Sequence, residues 1–325
     1  MKEFHVNLAC ILLLVLVPVY GTLFDEPYFI TLATKVTILA MTGIGLNLAL
    51  GYGGLVSLGH AAFFGIGGYV AGILASHALN YETMFSWPFE FEGTTQMLII
   101  WPIAAIVCGL VACIIGYLSL RTSGVYFIMI TLAFAQMIYY FAISWPTYGG
   151  EDGLSVYLRG SFPGLNTMDG LNFFSICFIW LMMAIYFSHL VTNSKFGLAL
   201  RATKENTVRV SSVGINPQRI KLIAFIISGV ITGLAGALYT DLNRFVSPSV
   251  LSWHTSGEIM IFVILGGVAR LYGPLVGAAL FIILEQILGG LTENWQFWLG
   301  VLLLIVVLYA RGGIVGLLAR RRTDV

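Results

Sequence analysis

Charge is scarce in this chain. Asp, Glu, Lys and Arg make up 10% of its 325 residues, where a soluble domain carries about a quarter. Nucleotide and metal signatures are missing as well. No lysine is followed by Ser or Thr, which excludes the Gly-rich phosphate loop that ends in Lys-Ser or Lys-Thr. There is no HExxH, no CxxC and no cluster of His and carboxylates at metal-ligand spacing, so a bound metal is not expected. The GxSxG elbow of esterases is absent too. Four cysteines (Cys10, Cys108, Cys113, Cys177) sit unpaired in apolar stretches and read as small helix-packing residues. The chain is therefore not expected to be an enzyme or to bind a cofactor, and nothing in it suggests a nucleic-acid partner.

What the chain has in excess is apolar surface. Hydrophobic residues make up 58% and mean hydropathy is +0.92. One globular core cannot hide that much, so the surface must face lipid. A span takes about 20 apolar residues, which leaves room for roughly ten spans and no separate soluble domain.

The spans are read at Phe4–Thr22, Tyr28–Leu50, Ala61–Leu79, Leu98–Leu118, Gly124–Trp145, Leu171–Val191, Lys221–Thr240, Gly257–Ala269, Tyr272–Gly289 and Phe297–Leu317. The eighth is too short for a full crossing and is expected to be tilted, broken or re-entrant. The first has no small-residue cleavage site after it and reads as an uncleaved helix rather than a signal peptide. With both termini in the cytoplasm, thirteen of the sixteen Lys and Arg residues fall inside, as the positive-inside rule expects. Lys35, Arg159 and Arg244 remain outside. The expected fold is an all-α polytopic membrane protein with about ten transmembrane helices, occupying 1–325 as a single domain.

Gly51 to Tyr69 reads GYGGLVSLGHAAFFGIGGY. Such a run is a poor soluble helix at about 1 kcal/mol per Gly. In a membrane it permits either close helix packing or local unwinding beside a protein-walled path, and the residues alone leave both open. A second cluster, Leu265 to Leu280, repeats the Gly-Gly-x3-Leu spacing. Polar groups around the first cluster and in the fifth span (Asn47, Ser57, His60, Thr131, Gln136) either bond neighbouring helices or line a path. Together with Gly53, Gly54 and Glu285, the residues Asn47, Ser57, His60 and Gln136 are the candidate path set. Glu258 is expected to cap the short eighth helix. Glu285 lies deeper and needs a partner.

The most polar stretch is Asn193 to Arg219, with a single acid, Glu205. Lys195 to Val213 is expected to form one short amphipathic helix, closed by Gly214 and stopped by Asn216-Pro217. It either holds the loop inside by charge or docks a soluble partner.

Four segments carry a resemblance: Asn47 to Tyr69, Arg201 to Asn216, Ala224 to Tyr239 and Ser256 to Leu280. In order and spacing they are similar to the branched-chain amino-acid permease family, in particular the M-type permeases of the high-affinity leucine-isoleucine-valine system. This resemblance implies the membrane-spanning part of an ATP-binding-cassette importer in a bacterial inner membrane. It implies a homologous second permease, two ATPase subunits that hold the ATP and magnesium, and a periplasmic solute-binding protein. Residues 193–219 would be the coupling loop, with Arg201, Lys204, Glu205, Asn206, Arg209, Gly214, Ile215 and Asn216 at the ATPase. Arg209-Val210-Ser211-Ser212 departs from the small, alanine-rich stretch of the family. Solutes of the family include branched-chain amino acids, amides, urea and small organic acids. The competing class, a self-sufficient secondary transporter or channel, would need coupling charges, and only Glu258 and Glu285 offer themselves.

Overall fold

The computed structural model describes residues 3–80, 93–309 and 312–318. It is helical apart from a two-residue antiparallel ribbon, Leu154–Ser155 with Phe245–Val246. The helices are α1 (Glu3–Leu23), α2 (Pro27–Asn47), α3 (His60–Asn80), α4 (Met97–Ser119), α5 (Val125–Ile143) and α6 (Gly170–Asn193). After them come α7 (Lys195–Glu205), α8 (Thr207–Ser212), α9 (Pro217–Asn243), α10 (Trp253–Gly266), α11 (Gly273–Leu291), α12 (Trp295–Tyr309) and α13 (Gly313–Leu318). Seven of them are long and apolar enough to cross a membrane: α2 to α6, α9 and α11. Two shorter apolar helices, Asn7–Leu23 and Trp295–Val306, accompany them. The chain is thus a polytopic membrane protein.

Each of the ten segments read from hydropathy falls on a helix. The eighth, α10, has 14 residues and starts at Trp253, four residues ahead of the expected Gly257. The tenth is divided between α12 and α13, and residues 310–311 lie outside the described residues. So do Glu82, Glu90 and Glu92, between the third and fourth expected spans, and Lys2, Arg311 and Arg320 to Arg322 of the charge count.

At the centre stands α9, packed by α2, α3 and α4. Its near side is built from Gly229, Gly233 and Gly236. A Cβ on Gly67 of α3 would collide with the Gly233 carbonyl, and one on Gly236 with the Phe64 carbonyl. The two backbones therefore touch, which only small residues permit. On the other flank, a Cβ on Gly233 would strike the Cys108 side chain of α4. Large apolar side chains on α4, α5 and α6 point outward instead (Ile106, Leu110, Met129, Ile179), as lipid contact requires.

Two departures from regular helix position everything else. α2 runs on through a π-turn, Leu48–Tyr52. The chain is then non-helical over residues 53–59 before α3 starts at the fully buried His60. Similarly, after the ribbon the chain passes a 3-10 turn, Pro248–Leu251, and only then enters α10. These two starts meet inside the bundle: the Ala61 amide donates to Ser256 Oγ at 2.9 Å. An orphan N–H of the α3 first turn, far from water, is thereby satisfied.

Candidate functional site

The π-turn brings the two Gly clusters to one end of the bundle. A Cβ on Gly51 would sit 2.7 Å from the Ala269 amide. Asn47, the last α2 residue, is almost wholly buried and bridges the same turn between α10 and α11. Its Oδ1 accepts from the Ala269 amide at 2.9 Å and its Nδ2 donates to the Arg270 carbonyl at 2.8 Å. Asn47 is thus a tie between two turns.

The polar loop docks at this same end. Lys204 donates from Nζ to the Gly51 carbonyl at 3.0 Å. Its aliphatic stem lies where a Cβ on Gly54 would be, 2.9 Å from Lys204 Cγ, and Gly54 has φ +68. Gly53 faces Leu200 of α7. Both glycines therefore pack the loop against the bundle.

The loop differs from the single expected helix. Asn206 takes φ −154 and ψ 104, breaking it into α7 and α8. The Asn206 side chain then accepts from the Arg209 amide at 3.0 Å and caps the second helix. Ser194 caps the first by accepting from the Gly197 amide. Gly214 does close α8, with φ +83. Asn216-Pro217 is a start rather than a stop: Asn216 Oδ1 accepts from the Gln218 and Arg219 amides, and Pro217 opens α9. Arg201 turns back on the bundle, donating from Nη2 to the Thr192 carbonyl at 3.0 Å. Glu205, Arg209 and Ile215 point outward. So do two apolar side chains in this polar loop, Val208 (73% exposed) and Val213 (77%). Beside them opens a cavity of about 780 Å³ between α8, the α4–α5 turn and residues 54–56.

His60 is fully buried, with Nε2 2.7 Å from Ser228 Oγ. Ser228 donates its own proton to the Gly45 carbonyl at 2.6 Å. His60 Nε2 must therefore carry the proton in this bond, which leaves Nδ1 as a buried acceptor without a partner. The ring meets Phe63 and Phe225 edge-on. His60 thus links α3 to α9 and, through Ser228, to α2. Ser57 is buried and accepts from the Gly59 amide. Thr131 bonds back to the Ile128 carbonyl of its own helix. Gln136, half-buried on α5, keeps Nε2 without a hydrogen-bond partner. The structure therefore does not gather the candidate path set in one place.

What it does gather is an ion pair. Lys35 Nζ of α2 lies 3.2 Å from Glu285 Oε2 of α11, with the two side chains 29% and 28% exposed. Glu285 has the partner its position demanded. Glu258 lines a cavity of about 330 Å³ together with Lys35 and Glu285. It sits in the second turn of α10, too far along to cap it; Ser252 takes the N-cap position. Lys35 was the residue to find: one lysine inside an apolar run and one glutamate inside another, each in need of the opposite charge.

A buried acid also escaped the sequence. Asp241, on the last turn of α9, accepts from the Gly160 amide through Oδ1 at 3.1 Å. Arg159 reaches the Asp241 carbonyl and the Thr167 carbonyl, and lies 4.3 Å over the Phe173 ring. Burial lowers the Arg159 pKa while nearby Asp241 opposes the shift. Together they hold the loop at 154–168 against the end of α9 remote from α7 and α8.

Comparison with known proteins bears on this arrangement. The family model described as branched-chain amino acid transport system / permease component matches residues 28–310. The high-affinity branched-chain amino acid transport system permease proteins LivM of Salmonella typhimurium and Escherichia coli are each 25% identical, over 88% of this chain and 69% of the relative. The galactose/methyl galactoside import permease protein MglC of Salmonella typhimurium is 23% identical over 96% of both chains. No solved structure matches.

Proposed function

The chain belongs to the branched-chain amino acid transport system / permease component family, and on that footing we propose that it forms half of the solute path of an ATP-driven importer. As a permease component it is not itself an ATPase and binds no cofactor; ATP belongs to partner subunits. The other half of the path is a homologous second permease, two ATPase subunits supply the energy, and a periplasmic protein delivers the solute. The membrane is the bacterial inner membrane, crossed about ten times, with both termini and the α7–α8 loop on the cytoplasmic side. The solute is a branched-chain amino acid or a related small polar molecule such as an amide, urea or a small organic acid.

One observation carries this reading. The α7–α8 loop is anchored to the bundle by Lys204 and Arg201, yet it turns Val208 and Val213 outward. Exposed apolar side chains on a firmly seated polar loop suit a protein partner. Glu205, Arg209, Ile215 and Gly214 stand beside them as ATPase contacts, while Arg201, Lys204, Asn206 and Asn216 shape the loop.

The test is a pull-down of the tagged chain from native membranes in mild detergent, read by mass spectrometry. Two ATPases and a second permease are expected. A chain that comes down alone and moves solute without ATP would replace this reading with a self-sufficient transporter. Sugar import is the second reading, favoured by the MglC likeness over 96% of both chains; leucine against galactose uptake separates the two.

A further inference from the structure

Arg121, Arg219 and Lys221 gather at the end of the bundle that carries α7 and α8, where the importer reading gives them no task. Arg121 lies just beyond α4, and Arg219 and Lys221 in the first turns of α9. A cavity of about 520 Å³ opens between Arg121 and Arg219. It is continuous with the cavity beside α8, which Lys221 lines: Leu120, Arg121, Asn216 and Gln218 wall both. No Asp or Glu lines either one. Arg121 is held in place by Tyr117, with its guanidinium 4.8 Å over the ring and Nη2 donating to Oη at 2.9 Å. That bond engages one of the five guanidinium donors. Three cations with no acid among them repel one another and favour an anion.

What lies beside the cavity specifies the anion. Toward the bundle interior it is closed. Gly116 brings α4 so close to α9 that a Cβ there would stand 2.8 Å from Leu222 Cδ1, and Leu222 lines the cavity. Along the outside, Tyr117 begins a stripe on α4 that continues through Ile114, Leu110 and Ile106, each 57% to 62% exposed. Spacings of three and four residues set these side chains on one helix face. From Tyr117 to Ile106 the helix rises about 16 Å, roughly one leaflet of a hydrocarbon layer about 30 Å thick. A tyrosine between charge and apolar surface suits the membrane boundary. Cationic head, aromatic boundary and leaflet-deep apolar stripe therefore follow one another in the order of a phospholipid.

We propose that the groove between the end of α4 and the start of α9 binds an anionic phospholipid of the leaflet on the α7–α8 side. Arg121 and Arg219 receive the phosphate oxygens, Lys221 adds a third positive charge, and an acyl chain lies along the α4 stripe. A zwitterionic headgroup would bring an ammonium into a site that already holds three cations, so a net negative lipid is preferred.

The experiment uses the full chain with its co-purifying subunits, stripped of lipid in detergent and read by native mass spectrometry. Added phosphatidylglycerol is expected to stay bound, and phosphatidylethanolamine to bind several-fold more weakly. Arg121→Gln with Arg219→Gln should weaken phosphatidylglycerol binding roughly tenfold, as the loss of charge-assisted contacts predicts. Lys195→Gln with Arg244→Gln removes the same charge outside the groove and should leave binding unchanged; thermal denaturation checks that both variants fold. A second measurement needs no variant: phosphatidylglycerol with a diazirine on its acyl chain should label residues 106–117 of the unmodified protein. Equal loss in the control pair, or labelling elsewhere, overturns the site. Equal binding of phosphatidylethanolamine overturns the anionic class. Displacement of the lipid by millimolar inorganic phosphate would make it a free-phosphate site. Labelling that appears only after the partner subunits are removed would make the groove a protein interface; either result overturns the lipid.

Discussion

Lys204 of α7 holds the Gly51 carbonyl at the end of the α2 π-turn, 3.0 Å from its ammonium group. The bond joins the exposed loop to the turn that Asn47 in turn ties to Ala269 and Arg270, between α10 and α11. Two polar side chains, Lys204 and Asn47, thus connect the loop to the helices that carry Glu258 and Glu285. Lys204→Met keeps the stem over Gly54 and removes only the donor. We expect folding stability to fall by about 0.5–1.5 kcal/mol, ATPase attachment to persist, and solute uptake per ATP hydrolysed to drop several-fold. Unchanged coupling in reconstituted vesicles would show that the contact is merely structural.

Gly54 leads to a different outcome. Its positive φ and the Lys204 stem leave no space for a side chain. Gly54→Leu should push α7 away from the bundle and lower the recovery of ATPase subunits in a pull-down. Blocked uptake with full ATPase recovery would instead place Gly54 on the solute path.

Gly214 and Glu205 separate loop shape from loop contact. A Cβ on Gly214 meets nothing within 4 Å, yet φ is +83, so Gly214→Ala costs conformational energy alone, about 1–2 kcal/mol. Gly214→Asn should recover much of it, as Asn tolerates this region. Glu205→Arg lies on an exposed position and should leave thermal stability unchanged while uncoupling ATP hydrolysis from transport. Normal uptake in that variant would remove Glu205 from the ATPase contact.

The α3–α9 seam should be the least tolerant part of the molecule. Gly67→Ala drives a methyl into the Gly233 carbonyl, an overpacking expected to cost about 1–3 kcal/mol or more. Gly290→Ala, with open space around it, serves as the control. Thermal denaturation in detergent should separate the two by several degrees.

The Lys35–Glu285 pair is suited to a double-mutant cycle. Lys35→Met and Glu285→Gln should each destabilise, and the double variant should recover part of the loss, with a coupling of about 0.5–3 kcal/mol. Stability losses that simply add would mean that the pair contributes nothing to the fold.

Much of this architecture is legible along the chain. Apolar runs between charges marked the seven long apolar helices, because partitioning into lipid depends on composition over about 20 residues. Gly214 ending a helix was also readable, since its cap is local. Asn206 was not. Its residues on either side suit a helix, and only the cap it offers to the Arg209 amide favours the break. Within the path set drawn from Gly, Ser, His and Asn, the bonds of His60 to Ser228 and of Asn47 to the 269–270 turn join segments far apart in the chain, which local pattern does not reveal.

Membrane residence, helical class and the family motifs were determined by the sequence itself, through hydropathy and local pattern. Tertiary structure alone decided that Lys35 meets Glu285 across 250 residues. It likewise decided that Gly53 and Gly54 serve the α7 loop, and that α3 and α10 both start inside the bundle. The reason is physical: hydropathy and capping are set by near neighbours in the chain, whereas burial and a partner depend on which face each packed helix turns inward.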